Sequence, residues 1–358
     1  MSRSTVVIGA IILAQKSVFA ILLFTLPSLA PSSFSTETSV ARRFYSWDSE
    51  HYLYIAEKGY SPKAGHCAFY PLWPGCIHAA TTLTTAPAVL SGYVLANLCS
   101  FLGLLLFHRF AREKHDLRTA NRATILLLLY PGSVFFFFPY TESLFLLLSI
   151  ICLLCLHMGN TSATAIAAFL LPMARPVGIF ILPYLLWELF RKRSPRRSYL
   201  VCAAPLLGYL CYFGIMYFFT GNPFEGFTAQ QQFPAKPSIA RIGDLAGFAQ
   251  SFADFVWHHD MTRSFIDRGA FFLFLCSLYW IWRMDSGYLV YCIFMGLIPA
   301  MSNSLMSYSR FLSVVFPFFI LFATLPVRRS WLFYLLCAGC GAVQIYFFIW
   351  HASGQWVG

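Results

Sequence analysis

From Thr5 to Leu29 the chain carries only Gln15 and Lys16 as strongly polar residues. A run of that length and character is long enough to cross the hydrocarbon core of a bilayer as a helix. Similar apolar runs recur downstream. They contain Gly, Pro and many Phe, and they lack the short alternating segments of an outer-membrane barrel, so they read as helices. Apolar residues fill 58% of the 358 positions, above the roughly 45–50% of soluble domains. No polar stretch is long enough for a separate soluble domain, so 1–358 reads as a single all-α integral membrane unit. The first run has no small-residue cleavage site of the Ala-x-Ala kind, which predicts a retained anchor rather than a signal peptide.

Polar breaks divide the chain into about eleven membrane helices, near 5–29, 86–107, 123–138, 141–157, 162–173, 177–190, 198–219, 269–283, 286–302, 311–326 and 331–351. The net charge of +11 is concentrated in short connections. Five Lys/Arg fall in His108–Arg122 and five in Arg191–Arg197, with Arg283 and Arg328-Arg329 marking two further ends. That is the positive-inside pattern, which explains the charge without a nucleic-acid partner. Parity requires a break inside 162–190, and Arg175-Pro176-Val177-Gly178 supplies one, because proline disfavours a helical residue before it. Broken backbone at that depth is tolerated where it is buried or lines a cavity.

With the basic ends cytoplasmic, the N-terminus is expected in the cytoplasm and the C-terminus outside. The loop 30–85, the Tyr140-Thr141-Glu142 link, the Arg175 turn, the loop 220–268 and the link 302–310 then share the outer face. A one-sided active site needs that asymmetry. A transporter is expected to show mid-membrane polar residues and paired repeats instead, and the sequence contains no internal repeat.

The sharpest polar cluster is Trp47-Asp48-Ser49-Glu50-His51-Tyr52, and acids held beside a bilayer are usually retained for a task. Asp48, His51 and Tyr52 share a face at helical spacing. Trp47, His51, Tyr54, Ile55 and Lys58 suggest an amphipathic helix lying in the interface, where Asp48 could instead serve as its cap. Phe69-Tyr70-Pro71-Leu72-Trp73-Pro74 forms an apolar roof. Arg175 could bind a phosphate bidentately or pair with Glu142. Arg310, at the outer end of a helix, suits an anionic ligand or snorkels to the interface. Thr220-Gly221-Asn222-Pro223 is a turn, followed by Gln230, Gln231 and Gln232, whose amides suit sugar hydroxyls or are ordinary loop content. His258-His259-Asp260 lacks a second ligand cluster and reads as loop. The pairs Cys152-x-x-Cys155 and Cys337-x-x-Cys340 lie in apolar runs and read as small core residues. No metal or cofactor is called for.

These motifs in this order resemble the GPI mannosyltransferase 2 family and its bacterial relatives. The matching pieces are Trp47 to Tyr60, Ala68-Phe69-Tyr70-Pro71, Tyr130-Pro131-Gly132-Ser133-Val134-Phe135, Tyr140-Thr141-Glu142-Ser143, Ala174 to Gly178, Thr220 to Pro223 and Ser307 to Pro317. The resemblance implies a GT-C type membrane glycosyltransferase that takes sugar from a polyprenyl phosphate, typically dolichyl phosphate mannose, with Asp48 as catalytic acid residue and Glu50 and His51 near it. The compact loops point to a prokaryotic relative acting on a lipid-linked or surface glycan. The membrane would be a bacterial inner membrane with a periplasmic site, or the ER membrane with a lumenal one.

The residues suit that chemistry on their own terms. An inverting displacement needs one base for the acceptor hydroxyl, where Asp48 suffices. A covalent retaining route needs a second carboxylate about 5 Å away, and Glu50 is the wrong helical neighbour. A departing polyprenyl phosphate gains negative charge that a preorganised cation stabilises, with Arg310 first in line and Arg175 second. Glu50, His51, Tyr52, Glu142, Arg175, Gln230 and Arg310 complete the expected substrate site. The alternatives are a transporter or flippase for a lipid-linked sugar, and a scaffold subunit of a larger complex.

Overall fold

The computed structural model describes residues 3–29, 43–234, 236, 238–256, 263–302, 305–324 and 330–357. In chain order its helices are α1 (Arg3–Leu29), α2 (Asp48–Lys58), α3 (Leu72–Thr84), α4 (Ala88–Lys114), α5 (Leu117–Leu129) and α6 (Glu142–His157). There follow α7 (Thr161–Ala174), α8 (Ile181–Arg191), α9 (Ala204–Thr220), α10 (Glu225–Gln230), α11 (Leu245–Ala253) and α12 (Phe265–Met284). The last are α13 (Ser286–Cys292), α14 (Ile298–Ser302), α15 (Tyr308–Leu312), α16 (Phe316–Thr324) and α17 (Ser330–Ala352). Among the described residues there is one isolated β-bridge, Val256 to Ser264. The fold is all-helical.

Most apolar segments expected to be helical are so, but the expected span 123–138 is not one helix: it ends at Leu129 and continues as the 3₁₀ turn Pro131–Phe136. Among the described residues, five helices are long and apolar enough to cross a bilayer: residues 3–26, 88–114, 196–220, 265–284 and 331–352. Glu142–His157, Thr161–Ala174 and Ser286–Ser302 are shorter apolar helices, so length alone supports fewer crossings than the eleven expected. Side-chain caps start several helices and satisfy orphan N–H groups. The Asp116 carboxylate accepts from Thr119 N at 2.8 Å, and the Asn160 amide oxygen from Ala163 N at 3.0 Å.

Two breaks shape the bundle. After α5, Tyr130 is extended (φ −62°, ψ 138°) and Pro131 starts a 3₁₀ turn, Pro131–Phe136. After α7, Arg175 is extended (φ −152°, ψ 148°) and Pro176–Phe180 forms a second 3₁₀ turn. The expected break thus sits at Arg175. Gly178 lies so close to α7 that a Cβ there would come within 2.2 Å of the Leu171 carbonyl carbon.

The polar pair of α1 turns inward. Lys16 Nζ donates to Asn97 Oδ1 at 2.9 Å and Ser100 Oγ at 2.7 Å. Gln15 Nε2 donates to Gln344 Oε1 at 3.1 Å, and Gln344 Nε2 donates to the Leu128 and Tyr130 carbonyls at 2.8 and 2.9 Å. These bonds tie α1, α4 and α17 to the α5 break and satisfy the backbone groups that the break releases.

The two ends of α6 differ. Its C-terminal end meets the basic connections. Lys192 Nζ reaches the Leu156 carbonyl at 3.3 Å, Arg191 pairs with Asp285 at 2.9 Å, and His115 meets the Tyr288 hydroxyl at 3.2 Å. Glu142 starts its N-terminal end, and sixteen residues of helix separate it from the basic rim, about 24 Å.

The first long loop holds more structure than expected. Leu72–Thr84 is a helix, and Pro71 and Pro74, part of the run read as an apolar roof, do not interrupt it. They occupy the N-cap and first turn, where proline is tolerated. Helices α10 and α11 likewise lie in what was read as loop. In α2 the buried residues are Ser49, Tyr52, Leu53, Ile55 and Ala56. The face read as amphipathic is therefore wrong in part: Tyr54 is 45% exposed and points out of the core, because tertiary packing of Tyr52 outweighs the local pattern. Cys152 and Cys337 are buried core residues with free thiols. Arg328-Arg329 and His258-His259-Asp260 lie outside the described residues.

Candidate active site

Asp48 is the first residue of α2, but not its cap. The N-cap is Trp47, whose side chain makes no capping bond. Ser49 secures the turn instead: its Oγ accepts from Ser46 N at 2.9 Å and donates to the Ser46 carbonyl at 2.8 Å. Trp47 has a positive φ of 58° with ψ −122°, a conformation that costs a non-glycine residue about 1–3 kcal/mol and gathers at functional sites. Ser307, three residues before Arg310, is left-handed, at φ 59° and ψ 27°.

Asp48 Oδ2 accepts from Arg310 Nη1 at 2.6 Å. Arg310 Nε donates to Glu142 Oε1, and Arg175 Nη1 reaches the same oxygen at 2.6 Å. Two cations and two anions thus alternate in the order Arg175, Glu142, Arg310, Asp48. Side-chain exposure falls to 0% at Glu142 and 4% at Arg310, then rises to 12% at Arg175 and 22% at Asp48. The centre is dry and its two ends are open. Charges at this burial persist only when paired, so the alternation is a condition of the fold. Of the two readings for Arg175, pairing with Glu142 is the one the geometry contains, and it leaves this side chain partly open.

Aromatic rings hold the guanidinium groups flat. Arg310 lies over Tyr140 at 4.7 Å and Phe135 at 4.8 Å, and Arg175 over Phe311 at 4.8 Å. Such contacts strengthen once desolvated. Tyr140 is itself pinned: its hydroxyl donates to the Ser46 carbonyl at 2.7 Å and meets His351 Nε2 at 3.0 Å.

A cavity of about 690 Å³ opens beside Arg175. Its wall is mostly apolar, including Val177, Phe180, Phe213 and Ile298, with Gln230, Gln231 and Arg175 as polar points. Arg310 does not line it. Arg310 is buried between two carboxylates and two rings, while Arg175 lines the open space.

The remaining expected residues lie around Asp48. Tyr52 is buried, 3.4 Å from the Thr141 hydroxyl, and burial raises its phenol pKa above the ordinary value, so it stays protonated. The His51 ring stacks on Phe69 at 4.6 Å and meets Phe233 edge-on at 6.0 Å. Burial lowers its pKa below the usual imidazole value against the pull of Asp48 and Glu50, which leaves it neutral at pH 7. Glu50 is exposed, outside the charged chain. The expected roof is present: Phe69 covers His51 and Tyr52, and Trp73 Nε1 donates to the Pro139 carbonyl at 3.1 Å.

Sequence reading missed Asp267, His351 and the part played by Gly132. Asp267 is buried, and its Oδ1 accepts from Ser309 N at 2.7 Å, holding the backbone beside Arg310. An acid in the first turn of an apolar helix was the available signal. His351 sits in an apolar run, where a single histidine looks like any core residue. Gly132 abuts the same segment: a Cβ there would come within 2.2 Å of the Ser309 oxygen and 2.9 Å of Arg310 Cα. Gly132→Ala is expected to displace Arg310 and to cost about 1–3 kcal/mol as overpacking does. Gly214→Ala, where nothing lies within 4 Å, is the control and should unfold like wild type. Equal thermal stability and turnover in both variants would remove the close approach as a constraint.

Three comparisons place the chain among known proteins. A family model described as mannosyltransferase (PIG-V) matches residues 6–194, a stretch that contains Asp48, Glu142 and Arg175 but not Gln230 or Arg310. Human GPI alpha-1,6-mannosyltransferase 2 is 32% identical over 141 residues, 35% of this chain and 28% of the human protein. The mouse protein of the same name is 30% identical over 178 residues, 46% of this chain and 35% of its own length. The matches therefore span about a third of the curated relatives. Among solved structures, the oligosaccharyltransferase AglB from Archaeoglobus fulgidus, in complex with an inhibitory peptide and a dolichol-phosphate, superposes with a TM-score of 0.55 at 15% identity. That match covers 97% of this chain and 56% of AglB. The apo form from the same organism gives 0.54 at 14% identity, over 96% and 56%. The likeness is one of fold, the GT-C arrangement of membrane helices.

Proposed function

The chain belongs to the mannosyltransferase (PIG-V) family, and from that membership we propose that it transfers mannose, or a related hexose, from a polyprenyl phosphate sugar to a lipid-linked or GPI-like glycan. The reaction is an inverting single displacement on the non-cytosolic face of a multi-pass membrane protein. In a bacterium that face is the periplasm; in a eukaryote it is the ER lumen.

The observation that carries this reading is the alternating charge chain ending on an apolar cavity at Arg175. The polyprenyl tail takes the apolar wall and the phosphate meets Arg175. Sugar hydroxyls meet Gln230. On the other end, Asp48 accepts the proton of the acceptor hydroxyl as its oxygen attacks the anomeric carbon. The bond from that carbon to the phosphate oxygen breaks, and its electron pair leaves with the polyprenyl phosphate. Arg175 stabilises the departing charge. Arg310 orients Asp48, and Glu142 holds both guanidinium groups in place. His51, neutral at pH 7, and Tyr52 form the wall beside Asp48, while exposed Glu50 is placed to meet the acceptor.

The test supplies purified protein in liposomes with labelled mannosyl, glucosyl and arabinosyl polyprenyl phosphates and a glycolipid acceptor. The mannosyl lipid should yield a new glycosidic bond and free polyprenyl phosphate. Movement of intact sugar lipid across the bilayer without bond formation would make the protein a flippase. Neither activity nor donor binding in the purified chain would make it a scaffold subunit.

A further inference from the structure

A second basic site lies away from the charge chain. Between α5 and α17 a pocket of about 470 Å³ is lined by Leu117, Arg118, Asn121, Arg122, Phe333 and Tyr334, among others. Arg122 is only 8% exposed. Its guanidinium lies over the Phe333 ring at 4.9 Å, and its buried Nη1 has no hydrogen-bond partner among the described residues. A buried, charged donor left unpaired costs the full desolvation of that group, so the site is built for an acceptor that the protein does not itself supply.

The surroundings state the sign of that acceptor. Arg118 stands exposed in the first turn of α5, with no acidic partner among the described residues. The nearest carboxylate in the chain, Asp116, is engaged by Thr119 N and Thr119 Oγ1 at 2.8 and 2.9 Å. Asn121 Oδ1 already accepts from the Ser4 hydroxyl at 2.9 Å and contacts His108 at 2.8 Å. Arg118 and Arg122 therefore line one pocket that has no acidic side chain among its lining residues.

Location selects a lipid. The pocket sits where α5 begins, on the rim that carries the basic connections. Its other wall is the start of α17, a helix of membrane-crossing length. Leu117 is 46% and Tyr334 66% exposed there, the apolar and aromatic surface expected at headgroup depth. Basic pockets between membrane helices on this kind of rim bind anionic headgroups. We propose that Arg118 and Arg122 bind the phosphate of an anionic phospholipid, with the headgroup in the pocket and the acyl chains along α17.

The test is native mass spectrometry of the full chain, released from micelles containing equal phosphatidylglycerol and phosphatidylcholine. Phosphatidylglycerol should be retained about 25-fold over phosphatidylcholine, each arginine supplying about a fivefold share. Arg118→Gln should lose about that share, and Arg118→Gln with Arg122→Gln should bring the ratio near one. Arg118 is exposed, so its single variant reports even if Arg122→Gln does not fold. Arg122→Lys should keep most of the preference. Equal retention of both lipids by wild type, or an unchanged ratio in Arg118→Gln and in the double variant, overturns the proposal. So does displacement of phosphatidylglycerol by millimolar inorganic phosphate, which would make the pocket a site for the free anion.

Discussion

Asp48→Asn is expected to lower turnover by about 10²–10⁴-fold, the range contributed by a positioned general base, with KM for the donor close to wild type. Asparagine keeps the shape and one acceptor oxygen, so the bond to Arg310 Nη1 at 2.6 Å can persist in weaker form. Arg310 also keeps Glu142, so the buried guanidinium is never left unpaired and the fold survives. The loss should fall on kcat, because in the proposed mechanism Asp48 meets the acceptor proton while the donor is held from the Arg175 side. Initial rates with a labelled mannosyl lipid, at several donor concentrations, separate the two. Wild-type turnover in this variant would remove Asp48 as the base, and a rise in KM at constant kcat would make it a binding group.

Glu142→Leu is expected to be the most destabilising single change in the site, by about 3–5 kcal/mol, the cost of removing one partner from a buried pair. Glu142 is fully buried and holds two arginines on one oxygen. Without it, Arg175 and Arg310 are adjacent cations in a dry centre, with only Asp48 left to one of them. The effect should be non-additive. If Glu142→Leu and Arg175→Met act through the same contact, the double variant should be less destabilised than the sum of the singles, by about 0.5–3 kcal/mol. Reversible unfolding in mixed micelles reads this cycle. Strict additivity would mean that the pair does not couple and that the alternating chain is not a unit.

Much of this centre was legible because charge is scarce. With 11% charged residues in the chain, each acid or base on the less basic face stands out, and Asp48, Glu142, Arg175 and Arg310 could all be picked without a structure. Proline and glycine marked the turn at Arg175, which the backbone confirms. The pairing was not legible. Arg310 and Asp48 are 262 residues apart, and only tertiary packing decides which of two arginines meets which acid. Both arginines were expected near the phosphate, Arg310 first and Arg175 second, and the fold places Arg175 on the cavity wall and Arg310 between Asp48 and Glu142. Supports such as Asp267 and His351 were hidden for a related reason. A polar residue in an apolar run has the same local signature whether it bonds a distant backbone or fills the core. Helix α3 lies in a run that reads as an apolar roof, and its prolines sit at the N-cap and in the first turn, where they do not interrupt it.

The proposed mechanism uses a single acid as base, and the configuration at the transferred anomeric carbon tests it. A mannosyl polyprenyl phosphate of known anomer, a glycolipid acceptor and purified protein suffice, with the product read by NMR. One displacement with Asp48 as base predicts a glycosidic bond of configuration opposite to that of the donor. Retained configuration would contradict it, since that outcome needs either a second carboxylate placed to trap the sugar or a different chemistry altogether.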